Sequence, residues 1–259
     1  EVCARIQRRQ GIKYRALVPN ARGAERAVDS KLDELLGLLT VSESYLRKNQ
    51  NMTMDEAIDQ GVKCFRIADA AGMGFVMALG VAMWCAYEGP IPQDKTIAVL
   101  RRLHDGGIRR FYLAGSMGME DPMMVASLFR RAAKEFPGCE FGYHVHNLSG
   151  QGTANVLAAV DAGASFIEGS ICGIGGGIAM PTSVASVGNL PTEDLVCMFE
   201  SMGVRTGVSP QEAVAASREI AALLGITASS HASQIGTRDE MLNQGKHNPR
   251  NPQTAARDA

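Results

Sequence analysis

Two histidines in the segment Gly142-Tyr143-His144-Val145-His146-Asn147 are the residues best placed to do chemistry in this chain. Successive side chains of a strand point to opposite faces, so His144 and His146 would share one. Two neutral imidazoles aimed the same way can hold a divalent metal ion. The run from Cys139 to Tyr143 reads as a short buried strand, and Leu148 to Gly152 as a loop that opens a helix. The pair therefore falls at the carboxyl end of a strand, where parallel α/β folds place their chemistry. Two histidines packed in a core are the plain alternative.

The elements that must position this pair follow from the alternation of short apolar runs with amphipathic stretches. Strands are expected at Tyr14 to Val18, Leu35 to Val41, Phe75 to Met83, Arg110 to Ala114, Glu140 to His146 and Phe166 to Cys172. Each is nearly continuously apolar, as a strand covered on both faces should be. Helix starts are marked by Thr53 with Glu56, by Asp121-Pro122 and by Ser209-Pro210 with Glu212. The positions Ile97, Leu100 and Leu103, and again Val125, Leu128, Phe129 and Ala132, recur at the spacing of one buried helical stripe. The last predicted helix, Pro210 to Leu224, ends at Gly225 with no strand after it. This is the pattern of a (β/α)8 TIM barrel of which about six βα units are present, in a domain over residues 1–242. Residues 243–259, rich in Asn, Gln, Pro and charge, are expected to be a mobile tail. Glu1 to Gly11 reads as the end of a helix, so the front of the barrel is expected to precede this chain.

Composition narrows the function. The chain has 259 residues, 46% of them hydrophobic, with 26 basic against 27 acidic side chains. That balance gives no electrostatic reason to expect nucleic acid or an anionic membrane as a partner. Six cysteines without Cys-x-x-Cys spacing argue against a zinc knuckle or a disulfide scaffold. No apolar run is long enough to span a bilayer and no signal peptide is evident, so a cytoplasmic location is expected.

Several motifs, taken in order, resemble the 3-hydroxy-3-methylglutaryl-CoA lyase family. They are Ser42-Glu43-Ser44 with Lys48-Asn49, Tyr87-Glu88-Gly89, the His-Val-His segment, Gly173-Ile174-Gly175-Gly176-Gly177, and Gly188-Asn189-Leu190-Pro191-Thr192-Glu193-Asp194-Leu195-Val196. The resemblance implies a metal-dependent TIM barrel that cleaves a carbon–carbon bond in a 3-hydroxyacyl-CoA thioester. It also implies His144, His146 and Asn189 as metal ligands, with Mg or Mn the fitting ions and CoA carried as part of the substrate. Glu43, Asn49, Ser116, Gly176 and Gly177 fall where substrate contacts are expected, and a homodimer is the implied assembly. Glu168, inside a strand, is expected to pair with something, for instance a histidine of the site.

Three departures bear on the substrate. The family's first-strand aspartate and arginine and its second-strand glutamate have no counterpart after Glu1, so the catalytic residues proper are unassigned. The family's catalytic cysteine falls at Gly177, and Cys172 nearby reads as a buried strand residue. The lyases carry an aspartate at the position of Gly115, and an acid where this chain has Asn147. These changes point away from 3-hydroxy-3-methylglutaryl-CoA itself and toward a citramalyl-CoA or methylmalyl-CoA type of thioester. A non-catalytic acyl-CoA-binding paralogue, or a condensing synthase of the same superfamily, is the alternative.

Overall fold

The computed structural model describes residues 2–176 and 188–248, which fall into two compact units: residues 2–168, and residues 169–176 with 188–248. After a one-turn helix α1 (Val2–Arg5), the first unit lays down β1 (Arg15–Val18), β2 (Glu34–Thr40) and β3 (Gly74–Gly80). A short antiparallel ribbon of β4 (Trp84–Cys85) and β5 (Gly89–Pro90) follows, then β6 (Arg110–Gly115), β7 (Glu140–Val145) and β8 (Phe166–Glu168). The main sheet runs in the order β1-β2-β3-β6-β7-β8, every pair parallel. Each strand joins next to its predecessor with a helix between them, which is the winding of a (β/α)8 barrel. The helices are α2 (Ala21–Val28), α3 (Glu43–Gln50), α4 (Met54–Ala70), α5 (Gln93–Asp105), α6 (Pro122–Glu135) and α7 (Gly152–Asp161).

Local chemistry accounts for the helix starts. Thr53 and Glu56 form a reciprocal capping box on α4, and Asp121 accepts from the backbone N–H groups of Met123 and Met124 ahead of Pro122. Each satisfies amides that the first turn leaves open. Between sheet and helices, Phe111 stacks on Phe141, and Phe129 meets Tyr143 edge-on. The other face of the sheet buries Val76, Ala78 and Tyr112 against Leu36, Leu38 and Phe166.

Charges close the amino end of the sheet. Glu34, only 2% exposed, receives hydrogen bonds from Arg15 on one carboxylate oxygen and from Arg110 and Lys13 on the other. Burial alone would raise its pKa, but the two guanidinium groups outweigh it and bring the carboxyl down to about 2.

The second unit is helical: a 3-10 turn at Ile171–Gly173, then α8 (Thr192–Ser201), α9 (Pro210–Leu224), α10 (His231–Ile235) and α11 (Arg238–Lys246). Glu193 is fully buried here, accepting from Ser217, Ser233 and the backbone of Cys172.

The structure corrects the sequence reading in three places. The strand expected over Phe166 to Cys172 stops at Glu168, and Cys172, left-handed (φ 59), lies in the 3-10 turn that follows. Cys172 is thus in a turn, not a strand, although it is buried as expected, its thiol donating to the Ser217 carbonyl. The strand expected to reach Met83 stops at Gly80, because Val81 has φ 53. Residues 243–246, expected in the tail, belong to α11, whose start is fixed by a capping box of Thr237 and Glu240. No helix among the described residues is long and apolar enough to cross a membrane.

Candidate active site

The carboxyl end of β7 carries the imidazole pair. His144 and His146 lie on one face with ring centroids 5.3 Å apart, the first half-buried and the second 5% exposed. The register pairs His144 with Glu168 on β8, and Glu168 Oε1 lies 2.8 Å from His144 Nδ1. That approach is bent from ideal hydrogen-bond alignment, so charge and proximity carry it more than direction. A carboxylate beside Nδ1 draws the ring hydrogen to that nitrogen and leaves the Nε2 lone pair for a ligand. His144 is the partner that the sequence reading expected for Glu168, an acid inside a strand.

Glu168 is itself held from below. Burial would raise its pKa, yet His144, Tyr112 and Arg15 outweigh that and lower it. Arg15 Nη1 donates to Tyr112 Oη at 2.9 Å and lies 4.0 Å from Glu168 Oε2. A polar column of Glu34, Arg15, Tyr112 and Glu168 thus ends at His144. The sequence reading missed Arg15 and Tyr112. Their signal was weak, because an arginine opening a strand and a tyrosine within one read as edge and core.

The loops beside β6 and β7 are sewn together through the backbone. His146 N donates to Gly115 O at 3.0 Å, Ser149 N donates to Gly118 O at 3.2 Å, and the Ser149 hydroxyl donates to the same oxygen. Gly118 is left-handed, and a Cβ there would sit 2.2 Å from the carbonyl oxygen of His146. Only glycine fits that crossing.

Ser116, expected at the substrate, accepts a hydrogen bond from Val81 N at 3.0 Å. Val81 is a β-branched residue at positive φ, a strained conformation that such a bond helps to hold. The hydroxyl hydrogen of Ser116 is still free to donate. Asn147, where the lyases carry an acid, accepts from Gly152 N at 2.9 Å and so closes the first turn of α7.

A second acid stands in this corner. Glu120 is fully buried, its Oε1 accepts from Tyr143 Oη at 2.8 Å, and its backbone carbonyl accepts from Asn155 Nδ2 at 2.8 Å. Glu120 Oε2 is buried with no protein hydrogen-bond partner. Burial pushes the carboxyl above the usual range, against the pull of neighbouring N–H groups, Tyr143 and His144. The sequence reading did not single out this residue.

Glu43 and Asn49 lie on α3. Glu43 is exposed in its first turn and borders a surface hollow with Arg47, Met52 and Arg102, while Asn49 is half-buried near the far end. The bonding in this region falls to Glu88, which accepts from Ser42 Oγ at 2.7 Å and Ser44 N at 2.9 Å. Burial opposes ionisation of Glu88, but these donors with Lys95 lower it to about 2. Tyr87-Glu88-Gly89 thus carries a structural clamp, Glu88 tying it to Ser42 and Ser44.

In the second unit, Asn189 Nδ2 donates to Ile174 O at 3.1 Å, while its Oδ1 is buried with no protein partner. The amide is fixed by one end and presents the oxygen at the other. The glycine series is needed to pack against it: a Cβ at Gly175 would lie 2.3 Å from Asn189 Nδ2, and one at Gly188 would lie 1.4 Å from Gly173 O. Gly176 is exposed, and Gly177 lies outside the described residues.

These donors suit a divalent cation in kind. His144 has its Nδ1 beside a carboxylate, and Asn189 has a carboxamide oxygen with no protein partner; both are donor types that a divalent ion accepts. Among the described residues, no group of three or more His, Cys, Asp or Glu is placed to hold a metal ion.

Sequential parallel βα units with polar groups at the carboxyl ends of the strands define a barrel of the (β/α)8 enzyme class. Residues 1–220 match the HMGL-like family model, and the chain belongs to that family. The mouse mitochondrial hydroxymethylglutaryl-CoA lyase is 32% identical over 90% of this chain and 71% of its own length. A hydroxymethylglutaryl-CoA lyase of Bacillus subtilis is 29% identical over 91% of this chain and 78% of its own. Among solved structures, an HMG-CoA lyase from Acinetobacter baumannii in complex with coenzyme A and 3-methylmalate superposes with a TM-score of 0.85 at 28% identity. It covers 92% of this chain and 76% of that one.

Proposed function

We propose that this chain is a carbon–carbon lyase that splits a 3-hydroxyacyl-CoA thioester into an acyl-CoA and an oxo acid. The observation that carries the reading is the imidazole pair at the end of β7, with Glu168 Oε1 2.8 Å from His144 Nδ1. Family membership and the lyase names of its relatives support it.

In such a reaction the substrate hydroxyl loses its proton and the oxygen's electron pair becomes the new carbonyl. The carbon–carbon bond breaks, its electrons passing to the α-carbon of the thioester, and a proton then reaches that carbon. Bound by His144, His146 and Asn189, a divalent ion such as Mg or Mn would stabilise the negative charge that develops on oxygen. Glu168 lies against Nδ1 of the His144 ring, the Ile174 carbonyl holds the Asn189 amide by its nitrogen, and the Ser116 hydroxyl can donate to a substrate oxygen. Burial of His146 and of the β6 corner limits water near the forming enolate.

The substrate belongs to the smaller hydroxy-diacid thioesters. Gly115 and Asn147 replace acids that the lyases carry, and the A. baumannii relative holds coenzyme A with 3-methylmalate, itself a hydroxy-diacid. A homodimer and a cytoplasmic setting, the latter as in the name of a rat relative 30% identical, belong to the same reading.

The test is turnover of several 3-hydroxyacyl-CoA thioesters, citramalyl-CoA and methylmalyl-CoA types among them, with Mg or Mn and with His144→Ala as control. Release of acetyl-CoA or propionyl-CoA that the control lacks supports the reading. Tight thioester binding without cleavage would instead make the protein a binding paralogue.

A further inference from the structure

At the end of β6, the resembling lyases carry an aspartate where this chain has Gly115, and the space beside that glycine is not empty. A Cβ built there would lie 1.6 Å from Glu120 Oε1, 2.6 Å from Glu120 Cδ and 2.9 Å from the Tyr143 hydroxyl. No side chain on residue 115 can coexist with Glu120 as it stands. The carboxylate that residue 115 lacks has been brought to the same spot from five residues later.

The spot is built. Glu120 is 0% exposed, Tyr143 Oη donates to one carboxylate oxygen, and Asn155 Nδ2 ties down the Glu120 carbonyl. Its second oxygen and Asn155 Oδ1 are both buried without a protein hydrogen-bond partner. Tyr143 precedes His144 on β7, and the loop that carries Glu120 is bonded through Gly115 and Gly118 to the backbone of His146 and Ser149. A group that fixes Tyr143 and this loop also fixes the height and angle of both imidazoles.

We propose that Glu120 is a positioning residue that replaces, from the β6–α6 loop, the strand-end carboxylate of the lyases, so that positions 115 and 120 act as a coupled pair. The catalytic side of this inference rests on the lyase reading above. Its structural side does not.

Four variants of the full chain test it: Gly115→Asp, Glu120→Gly, the two combined, and Glu120→Gln. Each single exchange of the pair should lower the melting temperature, Gly115→Asp by collision and Glu120→Gly by leaving the Tyr143 hydroxyl and a cavity unfilled. The combined exchange should melt higher than either single one. Losses that merely add would show the two positions to be independent and overturn the proposal, whatever the activity.

Glu120→Gln keeps bulk and an acceptor for Tyr143, so it should melt close to the parent. Its kcat should fall about tenfold or more with KM within about threefold, and the combined exchange should recover most of kcat. Unchanged kcat in Glu120→Gln would make Glu120 a packing residue and sink the positioning role. A parent protein that cleaves no thioester would sink the lyase reading alone, and the melting comparison would still decide the pairing.

Discussion

The two ends of the parallel sheet treat charge in opposite ways. At the amino end, Glu34 is saturated: Arg15, Arg110 and Lys13 occupy both carboxylate oxygens. At the carboxyl end, Glu120 keeps a buried oxygen with no protein hydrogen-bond partner, and His144 is engaged at Nδ1 only by a bent contact with Glu168. One end pairs its polar groups with each other, while the other, on the function proposed above, keeps its imidazoles for a ligand. Stability and chemistry are thereby assigned to different layers of one sheet, joined by Arg15, Tyr112 and Glu168.

The contrast can be broken first at its working end. His144→Ala should lower kcat/KM about a thousandfold while leaving the melting temperature nearly unchanged, as removal of a charge-stabilising group does. A comparable loss of stability would show the imidazole to be core. At the opposite end, Glu34→Ala strands two guanidinium groups and should cost about 4 kcal/mol of stability in urea unfolding. Turnover per folded molecule should change little.

Acid offers a graded version of the same test. The folded-state pKa of Glu34 is depressed to about 2, so its stabilisation is present above the unfolded value near 4.5 and is lost as pH falls from there toward about 2. Unfolding free energy should drop by about 3 kcal/mol across that window, and Glu34→Gln should flatten the dependence. The coupling between the ends should emerge in Glu168→Gln, which loosens the His144 ring and should weaken Mn binding about 10–100-fold, read by electron paramagnetic resonance. Smallest of all, Asn147→Ala removes one acceptor from the start of α7 and should cost about 1 kcal/mol.

How much of this could be read from the chain depended on how local the cause was. Six strands were legible because each is an apolar run between turn signals, and the observed bounds differ by one or two residues at four of them. The remaining two overshoot, one into Val81, whose positive φ follows directly on Gly80, and one past Glu168 toward the turn that holds left-handed Cys172, and no side-chain pattern announces a positive φ in valine or cysteine. The helices α10 and α11 escaped because their apolar positions are few and Met241 and Leu242 remain exposed. At the site, His144 and His146 were legible from spacing, and Glu168 from its unlikely place in a strand. Glu120 was not, since an acid between Met119 and Asp121 ahead of a proline reads as a solvated helix entrance. The loss at Gly115 was visible in the sequence, but its replacement required knowing which atoms fill the space.

The crossing at Gly118 sets a boundary on how this pocket can be remodelled. Main chain lies against main chain there, with the carbonyl of His146 within 2.2 Å of where even a methyl group would begin. New substrate shapes must then come from exchanging neighbours such as Ser116, Met117 or Met119, because inserting or enlarging residues at the seam would pry the imidazoles from their mounting. The seam at Gly118 is fixed, and only the side chains around it can be changed.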